Sequence, residues 1–233
     1  MSPSTLLEIR RYPVKAMGGE SLESAELDAR GLVGDRAYAV VDAEGKLATG
    51  KHSRRFRRRD EVFEFASHTT AGGVRVRGRD HELAAPGEEL DRFLSEVMGD
   101  DVQVLPETTT PYFDAEAVSL IGTASLAWCR EHLGVDADRR RIRSNLLVET
   151  DVPFVEETWS GTVAVGGVRL RPVERIERCR MIDIAQEGLP ADGRWLKALA
   201  ETRELSLGIY LAVERPGRIV VGDEVRPEVT GSG

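Results

Sequence analysis

The chain has 233 residues, 31% of them charged and 41% in the hydrophobic set, with a formal net charge of −8. That length can bury a sizeable core in one large or two small domains. The acidic balance argues against a general nucleic-acid binder and against docking on an anionic membrane by charge alone. No apolar run approaches the roughly 20 residues that span a bilayer. The first residues, Met1-Ser-Pro-Ser-Thr-Leu-Leu-Glu8, lack the basic start and long apolar stretch of a secretory signal, so the expected location is cytoplasmic.

β-type patterns dominate the first hundred residues. Strands are expected at Leu6–Arg11, Ala37–Asp42, Val62–Ala66 and Gly73–Arg77, with Ala43-Glu44-Gly45 as a turn after the second. Val74, Arg75, Val76 and Arg77 alternate as one buried and one wet face require. A helix follows over Glu88–Met98, where Leu90, Phe93, Leu94 and Val97 share a stripe and Gly99 can close the last turn. Val102–Leu105 returns as a strand. The polar stretch Pro106-Glu107-Thr108-Thr109-Thr110-Pro111 has no periodicity and suits a domain boundary or surface crossing.

In the second half, a strand at Val118–Ile121 leads to Thr123, a good N-cap residue, and to a helix over Ala124–Leu133. Cys129 shares the apolar face of that helix with Leu126 and Leu133, which marks it as structural. Strands are expected at Leu146–Glu149, Thr162–Val165 and Val168–Val173. Gly166-Gly167 supplies a hairpin turn that needs positive φ. A weaker helix over Trp195–Arg203 precedes strands at Ile209–Glu214 and Arg218–Val225, joined at Pro216-Gly217. Short strands with few helices define an α+β, strand-rich chain with at least one barrel-like sheet.

The common catalytic and nucleotide-binding signatures are absent, and no two of the four histidines stand at a metal-ligand spacing. Cys179 is the chemically informative residue. An arginine flanks it on each side, and cationic neighbours favour the thiolate that attacks electrophiles or binds soft metals; the other reading is a buried cysteine packing as a small hydrophobe. Arg54–Arg59 is dense in guanidinium and reads as a solvated face balanced by neighbouring acids. Arg143 leads directly into Ser144-Asn145 and an apolar strand and reads as functional. Lys15, before the Gly18-Gly19 turn, and Asp35-Arg36, within Gly31-Leu32-Val33-Gly34-Asp35-Arg36, present cations where glycine allows close backbone approach. An ion pair closing the turn is the alternative for Asp35-Arg36.

Taken in order, these pieces resemble a family. Tyr12-Pro13-Val14-Lys15, Gly31-Leu32-Val33-Gly34-Asp35-Arg36 and Val40-Val41-Asp42-Ala43-Glu44-Gly45 are similar to the N-terminal β-barrel region of MOSC proteins. Phe113-Asp114, Val118–Leu126, Arg143-Ser144-Asn145, Pro153-Phe154, Arg178-Cys179, Gly208-Ile209-Tyr210 and Val221-Gly222-Asp223 resemble the MOSC domain itself. The relatives include the mitochondrial amidoxime-reducing components. The resemblance implies a β-barrel-like region over residues 1–106 packed on a MOSC β-barrel domain over residues 111–230.

It also implies a molybdenum cofactor, a pterin phosphate whose dithiolene holds the metal, with Cys179 as the protein ligand. Lys15, Arg36 and Arg143 stand where family members contact the anionic pterin. Asn145 and Tyr210 match positions lining the same pocket, and Thr123 and Ser125 match its hydroxyl-rich strand-to-helix turn. The implied function is an oxidoreductase that removes oxygen from a small N-hydroxylated substrate, with electrons from a separate flavin or iron–sulfur/haem reductase and with neither nucleic acid nor membrane as partner. Asp183 or Tyr210 would relay a proton. The alternative is a carrier of sulfur, as a persulfide on Cys179, or of the cofactor, without substrate turnover. The chain departs from the family pattern at Ala16, where a serine is usual, at Ser144, where a proline is usual, and at Ile182-Asp183-Ile184-Ala185, which replaces Thr-Thr-Val-Asp beside the cysteine.

Overall fold

Strands are the commonest regular element of the chain, and the computed structural model describes residues 4–228. The first part contains β1 (Ser4–Arg11), β2 (Glu20–Leu22), β3 (Ser24–Asp28), β4 (Gly31–Leu32), β5 (Tyr38–Asp42), β6 (Leu47–Thr49), β7 (Phe56–Arg58), β8 (Ala66–Thr70), β9 (Gly73–Gly78), β10 (His81–Ala85), α1 (Glu88–Met98) and β11 (Val102–Pro106). The second contains β12 (Val118–Gly122), α2 (Thr123–Leu133), α3 (Arg139–Ile142), β13 (Leu146–Val148), β14 (Val163–Val165), β15 (Val168–Glu177), α4 (Trp195–Arg203), β16 (Ser206–Arg215), β17 (Gly217–Val220) and β18 (Glu224–Pro227).

Seven strands close a barrel in the order β13-β12-β16-β15-β14-β18-β1, with β1 pairing back onto β13 and β2 added beside β1. Closure removes the open sheet edge. The barrel is therefore built by both ends of the chain: β1, from the first part, sits between β13 and β18. Its interior is filled by Leu6, Ile9, Val118, Leu120, Leu146, Val163, Leu170, Leu211 and Val225, all buried. The pair β12 and β13 is parallel, unlike its neighbours. A parallel pair needs a crossover, and α2 with α3 supplies it, delivering Arg143 to the end of the barrel just before β13.

Of the other strands of the first part, β3 and β4 form a small sheet with β17, and the rest form two sheets, β11-β5-β6-β7 and β10-β9-β8, around a second core with Val40, Phe63, Phe65, Leu90 and Leu94. Ile184 and Met181, from the second part, pack into that core, so the loop after Cys179 is anchored on the first part. Residues 107–117 adopt neither strand nor helix and connect β11 to β12.

Several expected elements are corrected. Val62–Ala66 is not a strand: Asp60–Glu64 makes a 3₁₀ turn, and the strand starts at Ala66. Val62, Phe63 and Phe65 are all buried, and such a run lacks the alternation that a half-wet strand shows. Arg218–Val225 is two strands on different partners. β17 pairs with β3, whereas β18 pairs with β1 and β14, and Gly222 at φ +96° turns the chain between them. Thr123 is not the cap of α2. Its flanking residue is Gly122, and the Thr150 hydroxyl accepts from the Ala124 N–H. The hairpin at Gly166-Gly167 has the expected two-residue form, with Val165 opposite Val168 and Gly166 at φ +52°.

Candidate functional site

A cavity of about 140 Å³ opens between the barrel end and the first part, lined among others by Lys15, Arg36, Arg143, Asn145, Cys179 and Tyr210. Each side chain is delivered by a local device. Past β1 the chain is pinned: the Tyr12 N–H donates to Asp35 Oδ1 (2.7 Å), the Val14 N–H to Ser67 Oγ (3.1 Å) and the Lys15 N–H to Tyr38 O (2.8 Å). Lys15 is thereby buried at 3% exposure, its Nζ donating to Tyr112 O (2.7 Å) and Asp114 Oδ1 (3.1 Å).

Arg36 and Arg143 hold left-handed backbone conformations, at φ +49° and +57°, and both reach the same aromatic ring. Their guanidinium carbons lie 5.0 and 4.5 Å from the centroid of the buried Tyr12 ring. A cation over a ring face is stabilised by its quadrupole, which helps hold two like charges close together. Arg36 is ion-paired with Asp35, a fully buried carboxylate. Arg143 donates from Nη2 to Met17 O (2.7 Å), while its buried Nη1 has no partner.

Cys179 is half-buried at the end of β15. The arginines beside it serve the backbone. Arg178 donates from Nε to Leu207 O (2.8 Å) and from Nη1 to Ile142 O (2.7 Å), tying β15 to β16 and α3. Arg180 donates to Gly50 O (2.7 Å) and to both Asp60 oxygens (2.7 and 2.9 Å), tying the cysteine loop to the first part. Asn145 lines the cavity but its amide is engaged: Oδ1 accepts from Ser119 N–H (3.1 Å) and Oγ (2.9 Å), and Nδ2 donates to Arg10 O (3.1 Å). Tyr210 is half-buried, and burial raises its pKa, so its hydroxyl stays protonated at neutral pH.

Three expected site residues lie elsewhere. Thr123 donates to Thr150 O (3.3 Å) and braces the loop beyond β13. Ser125 is buried, donating to Glu156 Oε1 (2.7 Å) and accepting from Phe154 N–H (2.8 Å). Asp183 accepts from Trp195 N–H (3.1 Å) at the start of α4 and is not among the cavity's lining residues. Short polar side chains beside strand and helix ends commonly take such backbone partners. Asp114 and Lys51 line the cavity without having been selected from sequence; both sit in irregular segments, which carry no periodic signal. The arginine run is a balanced face for the most part: Arg57 pairs with Asp42 and Glu44, Arg58 with Asp60, and Arg59 with Asp42 and Asp100.

Charge in the cavity is coupled. Burial lowers the Lys15 pKa to about 8 even though Asp114 opposes the shift. Burial pushes Asp114 up, but Lys15 and Lys51 outweigh it and hold the carboxyl at about 2. Folded Lys15 thus loses its proton below the ordinary lysine value of 10.5. Its buried charge weighs against the fold below about pH 8, and that penalty is withdrawn as pH rises from about 8 towards 10.5, where the unfolded chain binds the extra proton. An anion held by the Lys15 ammonium would follow the opposite course. Molybdate affinity measured by calorimetry is expected to fall as pH rises through about 8, and Lys15→Arg to remove that inflection. An unchanged profile in the arginine variant would assign the titration to another group.

A cavity built jointly by two strand-rich parts, with one accessible thiol among buried cations, defines the class. Residues 98–226 match the family model for the MOSC domain and residues 4–101 that for the MOSC N-terminal beta barrel domain; the chain belongs to the MOSC family. It is similar to the molybdenum cofactor sulfurase of Danio rerio, 22% identical over 99% of this chain but only 35% of that protein. It is also similar to mitochondrial amidoxime reducing component 2 of Bos taurus, at 23% identity over 95% of this chain and 82% of the relative, and to mitochondrial amidoxime-reducing component 1 of Homo sapiens, at 22% over the same shares. The chain therefore spans about a third of the sulfurase. In fold it resembles the YUAD protein from Bacillus subtilis, with a TM-score of 0.55 and 14% identity over 96% of this chain and 94% of that one. Among the described residues no helix is long and apolar enough to cross a membrane.

Proposed function

We propose that this chain is a molybdenum-cofactor-dependent oxidoreductase acting on small N-hydroxylated compounds. The observation that carries the reading is the convergence of Cys179 with Lys15, Arg36 and Arg143 on one cavity, drawn from both parts of the chain. Among the described residues no group of three or more His, Cys, Asp or Glu can hold a metal ion. What the cavity offers instead is a single thiol and a set of cations, with an unpartnered guanidinium N–H on Arg143. Such a donor set fits a metal that arrives already chelated by an anionic organic group. The thiol suits a thiophilic metal and the guanidiniums suit a phosphate.

In this reading Lys15, Arg36 and Arg143 hold the anionic pterin, and the Cys179 sulfur supplies one bond to the metal. When bound, the cofactor supplies two-electron redox chemistry. The balanced reaction breaks the substrate N–O bond, consumes two electrons and two protons and releases the oxygen as water. A separate flavin or iron–sulfur/haem reductase supplies the electrons. Tyr210 holds a proton at the cavity wall, where it can be given to the leaving oxygen. Asp183, engaged at the start of α4, takes no part in that transfer.

The competing reading is a sulfur carrier, favoured by the similarity to proteins named molybdenum cofactor sulfurase and by a half-buried free thiol. Protein purified from a host that makes the cofactor separates the two. Stoichiometric molybdenum together with amidoxime reduction by reduced methyl viologen supports the oxidoreductase. Cyanide-labile sulfur without molybdenum supports the carrier and removes the redox assignment.

A further inference from the structure

Six cationic side chains (Lys15, Arg36, Lys51, Arg141, Arg143, Arg178) and three acidic ones (Asp114, Glu116, Glu177) line the cavity. Its wall is thus net positive in a chain of net charge −8. Three of the cations have fixed duties. Arg178 is committed to backbone carbonyls, Arg141 pairs with Asp136 and Arg36 with Asp35. Lys51 is different. Its Nζ lies 3.5 Å from Asp114 Oδ1, and that same oxygen already accepts from Lys15 at 3.1 Å. Two ammonium groups share one carboxylate, so one positive charge is left without a counter-ion.

Lys15 is the inner member, with its side chain 4% exposed, and Lys51 the outer one, at 35%. Both ammoniums lie over the Phe56 ring, at 5.2 and 4.8 Å from its centroid. Nearby, Arg55 donates to Phe113 O (3.2 Å) and to Pro111 O, so among the described residues its charge also meets carbonyls and no acid. The uncompensated charge therefore stands at the solvent side of the cavity, where an entering molecule meets it first.

We propose that Lys51 is a specificity-determining residue that selects anionic molecules at this cavity; resting on the oxidoreductase reading above, the substrates are N-hydroxylated compounds that also carry a carboxylate. The pterin anion engages the inner cations, and the substrate carboxylate engages Lys51. Charge in a partly enclosed, low-dielectric mouth raises the local concentration of counter-ions.

The first test needs no cofactor. Iodoacetate and iodoacetamide both alkylate a cysteine by displacing iodide and forming a C–S bond, and they differ in charge. Mass spectrometry of the Cys179 peptide gives the two rates, with buried Cys129 as the internal control. The iodoacetate-to-iodoacetamide ratio is expected to fall about fivefold in Lys51→Ala, the order of effect of one ammonium at contact distance in a water-exposed setting, and further in Lys51→Glu. A ratio unchanged in both variants overturns the proposal.

The second test uses molybdenum-loaded protein and reduced methyl viologen, comparing benzamidoxime with its 4-carboxy derivative. The carboxylated compound is expected to have the lower KM, and Lys51→Ala to raise that KM about fivefold while leaving kcat and the neutral compound unchanged. Equal KM values for both compounds in the native protein overturn the substrate class. If neither compound is reduced while the alkylation ratio responds to Lys51, anion selection stands and the oxidoreductase reading is what fails.

Discussion

Cys179→Ser is expected to lose nearly all molybdenum and to lower N–O reduction by more than about 100-fold, the upper end for removing a group that merely supports a metal ligand. A serine oxygen is a poor ligand for a thiophilic metal, so on the oxidoreductase reading the substitution would act on the metal bond and little else. Cys179 is half-buried at the end of β15, and its sulfur makes no described hydrogen bond; only its backbone carbonyl is used, by Ile182 N–H at 3.1 Å. Stability should therefore change by less than about 0.5 kcal/mol, as for surface substitutions away from packed features. Cys129→Ser is the contrasting control. That thiol is fully buried in α2, and burial pushes its pKa up to about 12, so it is protonated and enclosed. Its replacement should lower stability and leave molybdenum content unchanged. Metal analysis beside thermal melts decides the matter, and full molybdenum occupancy in Cys179→Ser would remove the sulfur from the metal site.

Asp35→Ala is expected to cost about 3 to 5 kcal/mol, because removing one partner strands a charge that the fold has partly withdrawn from water. Asp35 is fully buried and does two jobs: Oδ1 accepts from Tyr12 N–H at 2.7 Å, and Oδ2 accepts from Arg36. The substitution leaves that backbone N–H unsatisfied and places Arg36 against Tyr12 and Arg143 without its paired carboxylate. For a chain of this length the melting temperature should fall by on the order of 10 °C. Asp35→Asn keeps an acceptor for Tyr12 and loses only the charge, so it should fall between the two. A melting temperature for Asp35→Ala within about 1 °C of the native protein would show that the pair contributes little.

The legible parts of the fold were those with local periodicity or local turn chemistry. α1 shows a buried stripe through Leu90 and Leu94, and the β14–β15 hairpin is announced by Gly166-Gly167. The elements missed were short strands such as β2, β4 and β7, of three, two and three residues, too brief for alternation to register and defined by their partners. The same division runs through the candidate site. Lys15, Arg36, Arg143, Asn145, Cys179 and Tyr210 stood in recognisable motifs and meet at the cavity. Thr123, Ser125 and Asp183 stood in motifs too, yet each is engaged by neighbouring backbone or side-chain groups away from it.

By itself, then, the order of residues determined the strand-rich class, the unusual setting of Cys179 and the cations fit to meet an anion. The tertiary structure decided which of those groups share a space. Lys15 and Asp114 lie 99 positions apart and meet at 3.1 Å, because β1 closes a barrel completed by strands from beyond residue 117. Lys51, an isolated lysine in the sequence, becomes an unbalanced charge at a cavity mouth only once Lys15 claims the same carboxylate. Periodicity reports each segment's own buried face. Electrostatic coupling depends on distance through space, and that is fixed only when the barrel closes.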